Sequence, residues 1–367
     1  DSGALLAKTA VPVAELRWPP RQVPTTIALR LEGSKTEAVE EPCTVSFQVL
    51  DAAAVTARRR VVFLLRHGES VWNAAQSAGN VTEMARQNDH PLSAKGRAQA
   101  AALRTKVAEA AKRGEKAAIE FSSAGAVYTS PLCRAVQTAC IAVGPETVGA
   151  SGELVLMPAV REKQNLGGFD SMSSKLGPDI IQRAHEDLSS SGSADVVLSD
   201  QDIGMALASM AQLRYDVAEA EEPWWCENNS DSAAMIRERL QECMAQLLYM
   251  PPATAVVVGH SHFFRSLLKT FISKEFRAAQ PKLAADLAQM KIQNCGVVRL
   301  ELDPRAGADG EAIVGAQLVF GTRLDADGQM FGACCANPGH DDDALEGLEP
   351  LQNSSDESQP TSSAPEA

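Results

Sequence analysis

Positive charge is what this chain is short of. Its 34 Lys and Arg stand against 47 Asp and Glu, a formal net charge of -13 over 367 residues. A surface of that sign repels polyanions, which argues against a nucleic-acid partner and against a basic membrane-binding face. The deficit gathers at one end: residues 338–367 carry -8 of the total, with no Lys or Arg, and leave the body at -5. Cysteine is present eight times but without close, regular spacing. That leaves neither a disulfide nor a thiolate-metal framework to read, and a reducing, cytoplasmic compartment is the default. The adjacent Cys334 and Cys335 read as two free thiols. No apolar run reaches membrane-spanning length, and the first residues lack a charged-then-apolar leader. The sequence opens on Asp1 rather than Met, which leaves room for a lost targeting segment.

Hydrophobic residues make up 45% of the chain, enough for a sizeable core. The densest signal is Val61-Val62-Phe63-Leu64-Leu65, an apolar run of strand length that stops at Arg66-His67-Gly68-Glu69-Ser70. Such a run suits a strand buried on both faces of a parallel sheet, and ligand chemistry gathers where those strands end. Gly68 permits a tight turn and close approach of a ligand. Arg66 brings a planar fork of donors suited to phosphate oxygens, and His67 brings a nitrogen able to act as a nucleophile. Two further blocks follow strand-like segments. Ser130-Pro131-Leu132-Cys133-Arg134 comes after Ala126-Val127-Tyr128, and Gly259-His260-Ser261 comes after Ala255-Val256-Val257-Val258.

These three blocks, with Trp72-Asn73 and the Asp89 to Ala100 segment, resemble the histidine phosphatase superfamily, the phosphoglycerate mutase-like fold. The resemblance covers roughly Arg59 to Gly332. It implies an α/β fold: a three-layer sandwich with a mostly parallel central sheet and a helical insertion. It also implies phosphomonoester hydrolysis through a phosphohistidine on His67, with Arg66 and Arg134 clamping the phosphoryl oxygens and His260 as the second pocket histidine. Gly68, Asn73 and Ser261 would contact the substrate. One branch of the superfamily has Asp directly after the second histidine. Ser261 stands there instead, so the resemblance points to the branch whose acid is a Glu soon after the third strand, here Glu162. Glu69 is the reserve candidate. No metal and no organic cofactor are implied, and the expected partner is a small phosphorylated substrate or a phosphoprotein.

The same residues bear on other classes. Gly259-His260-Ser261-His262-Phe263 is not a nucleophile elbow, because Phe263 stands where that motif needs Gly. His260-x-His262 has the spacing of a metal pair, but only six His occur in the chain and no acidic companion stands nearby. A phosphoglycerate mutase is the alternative within the same chemistry, although Lys163-Gln164-Asn165-Leu166-Gly167-Gly168 departs from that group's sequence after the acid. No Gly-Lys-Ser/Thr phosphate loop of a fused kinase is present. A non-catalytic interaction module remains the reading from another class.

The remaining organisation follows from composition. Residues 1–58 read as an N-terminal extension with two strands, at Thr26 to Leu31 and Thr44 to Leu50, as if ending a preceding module. Arg58-Arg59-Arg60 reads as a solvated charge run. Residues 59–337 form the phosphatase domain, with a helical cap over about 171–230 and Trp224-Trp225 at its end as a candidate pocket lining. Residues 338–367 are too acidic and too poor in aromatics to offset ordering entropy, and are expected to be disordered.

Overall fold

The computed structural model describes residues 25–28, 44–47, 58–143, 147, 153–164, 169–190, 200–226, 230–250, 252–307 and 310–325. The acidic tail and the Cys334-Cys335 pair lie outside the described residues. Of the N-terminal extension, two strands are described: β1 (Thr25–Ala28) and β2 (Thr44–Phe47), paired antiparallel with Thr25 opposite Phe47.

The apolar run before Arg66 forms β3 (Arg60–Arg66). Val62 and Leu64 belong to one hydrophobic cluster and Phe63 and Leu65 to the other, all four fully buried. A strand apolar on both faces needs cover on both sides and neighbours on both edges. It has them. With β4 (Ala126–Thr129), β5 (Glu153–Leu156), β6 (Arg214–Asp216) and β7 (Thr254–Gly259), β3 makes the parallel part of a seven-stranded sheet. Strand β8 (Lys291–Ile292) pairs separately with a two-residue strand at Leu324–Asp325. Strand β9 (Val297–Leu302) joins β3 antiparallel and β10 (Ile313–Val319) joins β9, giving the order β10-β9-β3-β7-β4-β5-β6.

Short helices α1 (Val71–Ser77) and α2 (Val81–Met84) follow β3, then the long α3 (Ala94–Lys112) and α4 (Lys116–Ser122). Ser93 caps α3, its hydroxyl accepting from the Gly96 amide. Helix α5 (Cys133–Ala142) lies between β4 and β5, and α6 (Pro178–Ser190) and α7 (Asp200–Gln212) between β5 and β6. Helix α8 (Ala233–Tyr249), capped by Ser232, precedes β7; α9 (Ser261–Phe271), α10 (Lys274–Ala279) and α11 (Pro281–Gln289) follow it. Leu103, Phe121, Val136 and Ile180 from α3, α4, α5 and α6 cover the Phe63 face. Leu240, Leu247, Phe263 and Leu287 from α8, α9 and α11 cover the Val62 face. The result is a mixed α/β sandwich of three layers around a largely parallel sheet. Each fully buried Leu or Phe contributes about 1.5–3 kcal/mol of transfer free energy, so both packed faces hold the strand ends firmly.

Two expectations need revision. The Arg58-Arg59-Arg60 run is split: Arg60 is buried, its Nε donating to the Leu248 carbonyl at 3.2 Å, while Arg59 reaches Glu301 at 3.5 Å. Between β5 and β7 the chain is also more than a cover. Ile180, Ala184 and Leu188 of α6 belong to the core, and β6 extends the sheet as its last strand.

Candidate active site

The candidate residues stand at the C-terminal ends of parallel strands: His67 after β3, Ser130 after β4, Glu162 beyond β5 and His260 after β7. That is where an open α/β sheet places its ligands.

His67 is buried, its amide donating to the Gly259 carbonyl at 3.0 Å and its carbonyl accepting from Asn294 Nδ2 at 3.0 Å. Its Nδ1 lies 2.6 Å from the Gly68 carbonyl, an atom that can only accept, so Nδ1 carries the hydrogen and Nε2 keeps its lone pair. Arg134 Nε donates to that Nε2 at 3.3 Å. Burial first, then the Arg134 and Arg66 charges, hold the imidazole well below its usual range, so it is neutral at pH 7. A neutral imidazole with a bare Nε2 beside two guanidinium groups has the form a nucleophile towards phosphorus requires.

Both arginines keep donors in reserve. Arg66 Nη1 donates to the Ile292 carbonyl at 2.6 Å, while its Nε is buried with no partner among the described residues. Burial lowers the Arg66 pKa, against the opposing pull of Glu162 and Asp325. Arg134 lies in the first turn of α5, a helix end that favours anions, and is 1% exposed. Its Nη1 donates to the Asp170 carbonyl at 2.7 Å and stands 3.1 Å from Asp170 Oδ1. That second contact is close enough for an ion pair but not aligned as a hydrogen bond, since Oδ1 has no hydrogen-bond partner.

His260, fully buried, precedes α9. Its Nε2 lies 2.8 Å from Ser130 Oγ, its Nδ1 has no hydrogen-bond partner among the described residues, and its ring centroid is 5.0 Å from that of His67. Burial, then the charges of Arg134 and the neighbouring groups, keeps it well below its usual range as well. Ser261 follows in the first turn of α9 with its Oγ buried and unpartnered. Glu162 reaches the same helix end. Its Oε1 accepts from the amides of Lys163 at 2.9 Å and Phe263 at 3.2 Å, and Oε2 from the amide of His262 at 3.4 Å.

Gly68 is required by the close approach of α3, because a Cβ there would meet the Gly96 carbonyl oxygen at 2.5 Å. Its amide donates to Thr138 Oγ1 at 3.0 Å. Asn73 sits in α1, where its Oδ1 accepts from the Ser70 amide at 3.2 Å and its own amide donates to Ser70 Oγ at 3.1 Å, a reciprocal cap. Glu69 is engaged at the start of α3, accepting from Ser93 Oγ at 2.9 Å and Lys95 Nζ at 2.7 Å. His262 Nδ1 lies 3.0 Å from Arg265 Nη2. Trp224 and Trp225 pack edge to face, and Trp224 helps line a cavity of about 390 Å³ with Arg161, Arg239 and Glu242, among others. None of the residues assigned to the phosphoryl pocket lines it.

Three residues join the site that strand-end patterns do not single out. Asp170 lies beside Arg134 and 3.9 Å from His90 Nδ1. Burial raises the Asp170 carboxyl against the attraction of Arg134. His90 is fully buried, its Nδ1 making no hydrogen bond among the described residues, and packs edge to face on Trp72. Asp89 caps α5, its Oδ1 accepting from the Cys133 amide at 2.8 Å. Among the described residues, then, Arg66 Nε, His260 Nδ1, Ser261 Oγ, Asp170 Oδ1 and His90 Nδ1 are buried without hydrogen bonds. Buried polar atoms are almost always satisfied, so such a gathering marks a place where a polar ligand completes the network.

Comparison with known proteins adds the following. Residues 62–175 match the family model described as Histidine phosphatase superfamily (branch 1). No curated protein matches. Among solved structures, a mycobacterial glucosyl-3-phosphoglycerate phosphatase is similar at 17% identity, covering 71% of this chain and 98% of its own, with a TM-score of 0.37. A phosphoglycerate mutase from Bacillus anthracis str. Sterne is similar at 16% identity, covering 73% and 95%, with a TM-score of 0.38. The segment that matches the histidine phosphatase superfamily model holds Arg66, His67, Arg134 and Glu162.

Proposed function

We propose that the protein is a metal-independent phosphomonoester hydrolase that works through a phosphohistidine on His67. The observation that carries this reading is the His67 ring: Nδ1 is spent on the Gly68 carbonyl, and Nε2 is bare beside Arg134. In the first half-reaction, Nε2 forms the N–P bond while the P–O bond to the leaving alcohol breaks. Arg66 and Arg134 stabilise the equatorial oxygens, where negative charge is spread in the transition state. His260 donates to one of them. Glu162 supplies the proton that the departing alkoxide needs. In the second half-reaction, water attacks phosphorus, Glu162 takes its proton, and the N–P bond breaks to return His67 and release inorganic phosphate. The α9 amides that hold Glu162 keep this carboxyl beside the pocket through both steps. The substrate class is a small phosphorylated molecule or a phosphoprotein.

Rapid quenching with a 32P-labelled phosphomonoester, without acid, should trap an acid-labile adduct that is absent from His67→Ala. Turnover should survive EDTA and fall with vanadate. An equal adduct in His67→Ala would overturn the nucleophile, and loss of turnover in EDTA with recovery on adding zinc would overturn the metal-free chemistry.

A further inference from the structure

His260 is neutral, so only one of its two ring nitrogens carries a hydrogen, and the chemistry depends on which one. Its Nε2 is 2.8 Å from Ser130 Oγ, both residues being fully buried. Ser130 is itself fixed. Its amide donates to the Val258 carbonyl at 2.9 Å on the neighbouring strand, and its Oγ accepts from the Leu132 amide at 3.3 Å.

The two arrangements differ in what they leave unpaired. If Nε2 carried the hydrogen, Ser130 Oγ would accept twice. Its own hydrogen would then have no acceptor among the described residues, and the bare Nδ1 would stay unpartnered as well. If Ser130 donates to Nε2, every atom of the pair is satisfied except an Nδ1–H with no acceptor among the described residues. Stranding two buried polar groups costs more than stranding one, and the single orphan is of the kind a phosphoryl oxygen satisfies.

We propose that Ser130 is a positioning residue that holds His260 as the Nδ1–H tautomer, so that Nδ1 meets the phosphoryl oxygen as a donor. The role of the donor rests on the phosphoryl-transfer reading above; the tautomer does not. His67 and His260 are then the same tautomer used in opposite ways. One spends its N–H on Gly68 and attacks with the bare nitrogen; the other spends its bare nitrogen on Ser130 and donates.

The test is 15N NMR of imidazole-labelled wild-type protein at neutral pH, with His260 assigned by its loss in His260→Gln. The expected spectrum shows a protonated Nδ1 and a bare Nε2, and the Nδ1 resonance moves on titration with inorganic phosphate. In Ser130→Ala the two nitrogens should converge towards a tautomer mixture. Its kcat should fall roughly five- to tenfold, the worth of one hydrogen bond, with little change in KM, and Ser130→Thr should recover most of it. A protonated Nε2 in the wild type would overturn the proposal. So would a Ser130→Ala protein that keeps a pure Nδ1–H tautomer and full kcat. Should Ser130→Ala fail to fold, the wild-type spectrum still decides the tautomer. If that tautomer is found but no phosphohistidine is ever trapped, the functional reading fails and the tautomer assignment survives.

Discussion

Two buried clusters of charge among the described residues are finished to different degrees. Around Asp231 every charged group has found its partner. Arg161 meets its carboxylate with two nitrogens, at 2.8 and 2.5 Å, Arg239 adds a third contact at 2.9 Å, and the Gln164 amide a fourth at 2.7 Å. Gln164 in turn exchanges side-chain bonds with the Cys226 backbone at 3.1 Å in each direction. Burial alone would raise the Asp231 carboxyl, but the Arg161 hydrogen bonds and the Arg239 charge outweigh it and the net shift is downward. Around His67, by contrast, five buried polar atoms have no hydrogen bond among the described residues. Charge burial alone therefore does not mark a functional site. The saturated cluster clamps the chain on both sides of Glu162, and the unsaturated one leaves donors and acceptors unused among the described residues.

The largest effect that sharpens this contrast comes from the acid. If the open cluster performs chemistry, Glu162→Gln should slow alkyl phosphates by roughly 10²–10⁴-fold, the usual worth of general acid catalysis. An aryl phosphate with a low-pKa leaving group scarcely needs the proton and should lose far less. Arg134→Ala removes charge stabilisation common to both transition states and should harm both substrates alike. Steady-state kinetics on the two substrates separates the roles. Equal slowing of both by Glu162→Gln would move the acid elsewhere, with Glu69 the next residue to test.

Next in size is a loss of stability. Asp231→Ala strands Arg161 and Arg239 as buried charges without a counter-ion, which should cost about 3–5 kcal/mol. Ser261→Ala, in the open cluster, removes a hydroxyl that has no hydrogen bond to lose and should change stability by well under 1 kcal/mol. Urea unfolding of both variants tests the contrast, which collapses if the two shifts are alike.

What the sequence made legible was local. A run of apolar residues ending in Arg-His-Gly, or in Gly-His-Ser, carries its own signal, because strand ends in a parallel sheet are where ligands bind. The strand-end placement of Arg66, His67 and His260 was readable for that reason, while Arg134 and Glu162 were reached through resemblance. Ser130 stands at a strand end, yet its contact with His260 joins positions 130 residues apart and is made by strand adjacency. Asp170 lies in a single turn of 3-10 helix with no periodic pattern to announce it. Strand β6 is three residues long with no fully buried position, so it leaves no apolar run. Arg60 was misread because a charge run does not show that the Leu248 and Pro252 carbonyls await one of its members.

A third prediction tests a residue between the two kinds of cluster. Asp89 is buried beside Arg134 and caps α5, with Oδ1 on the Cys133 amide and Oδ2 3.4 Å from Ser173 Oγ. Burial lifts its pKa from 3.8 to about 7, reinforced by Asp170 and opposed by Arg134, the Cys133 amide and Arg183. Between those two values the native state holds a proton that the unfolded chain has released, so unfolding becomes easier as pH rises and the trend levels off above pH 7. Asp89→Asn mimics the protonated form. It keeps an oxygen for Cys133, brings an NH2 to Ser173, and suits the positive φ of 51° at this position. The variant should match the wild type below about pH 4 and exceed it above pH 7, by no more than about 4 kcal/mol for a shift of this size. Urea midpoints for both proteins from pH 4 to pH 8.5 measure the difference directly. A gap that stays constant across that range would mean that Asp89 is charged in the native state throughout, and that Arg134 and the helix end satisfy it as fully as the arginines satisfy Asp231.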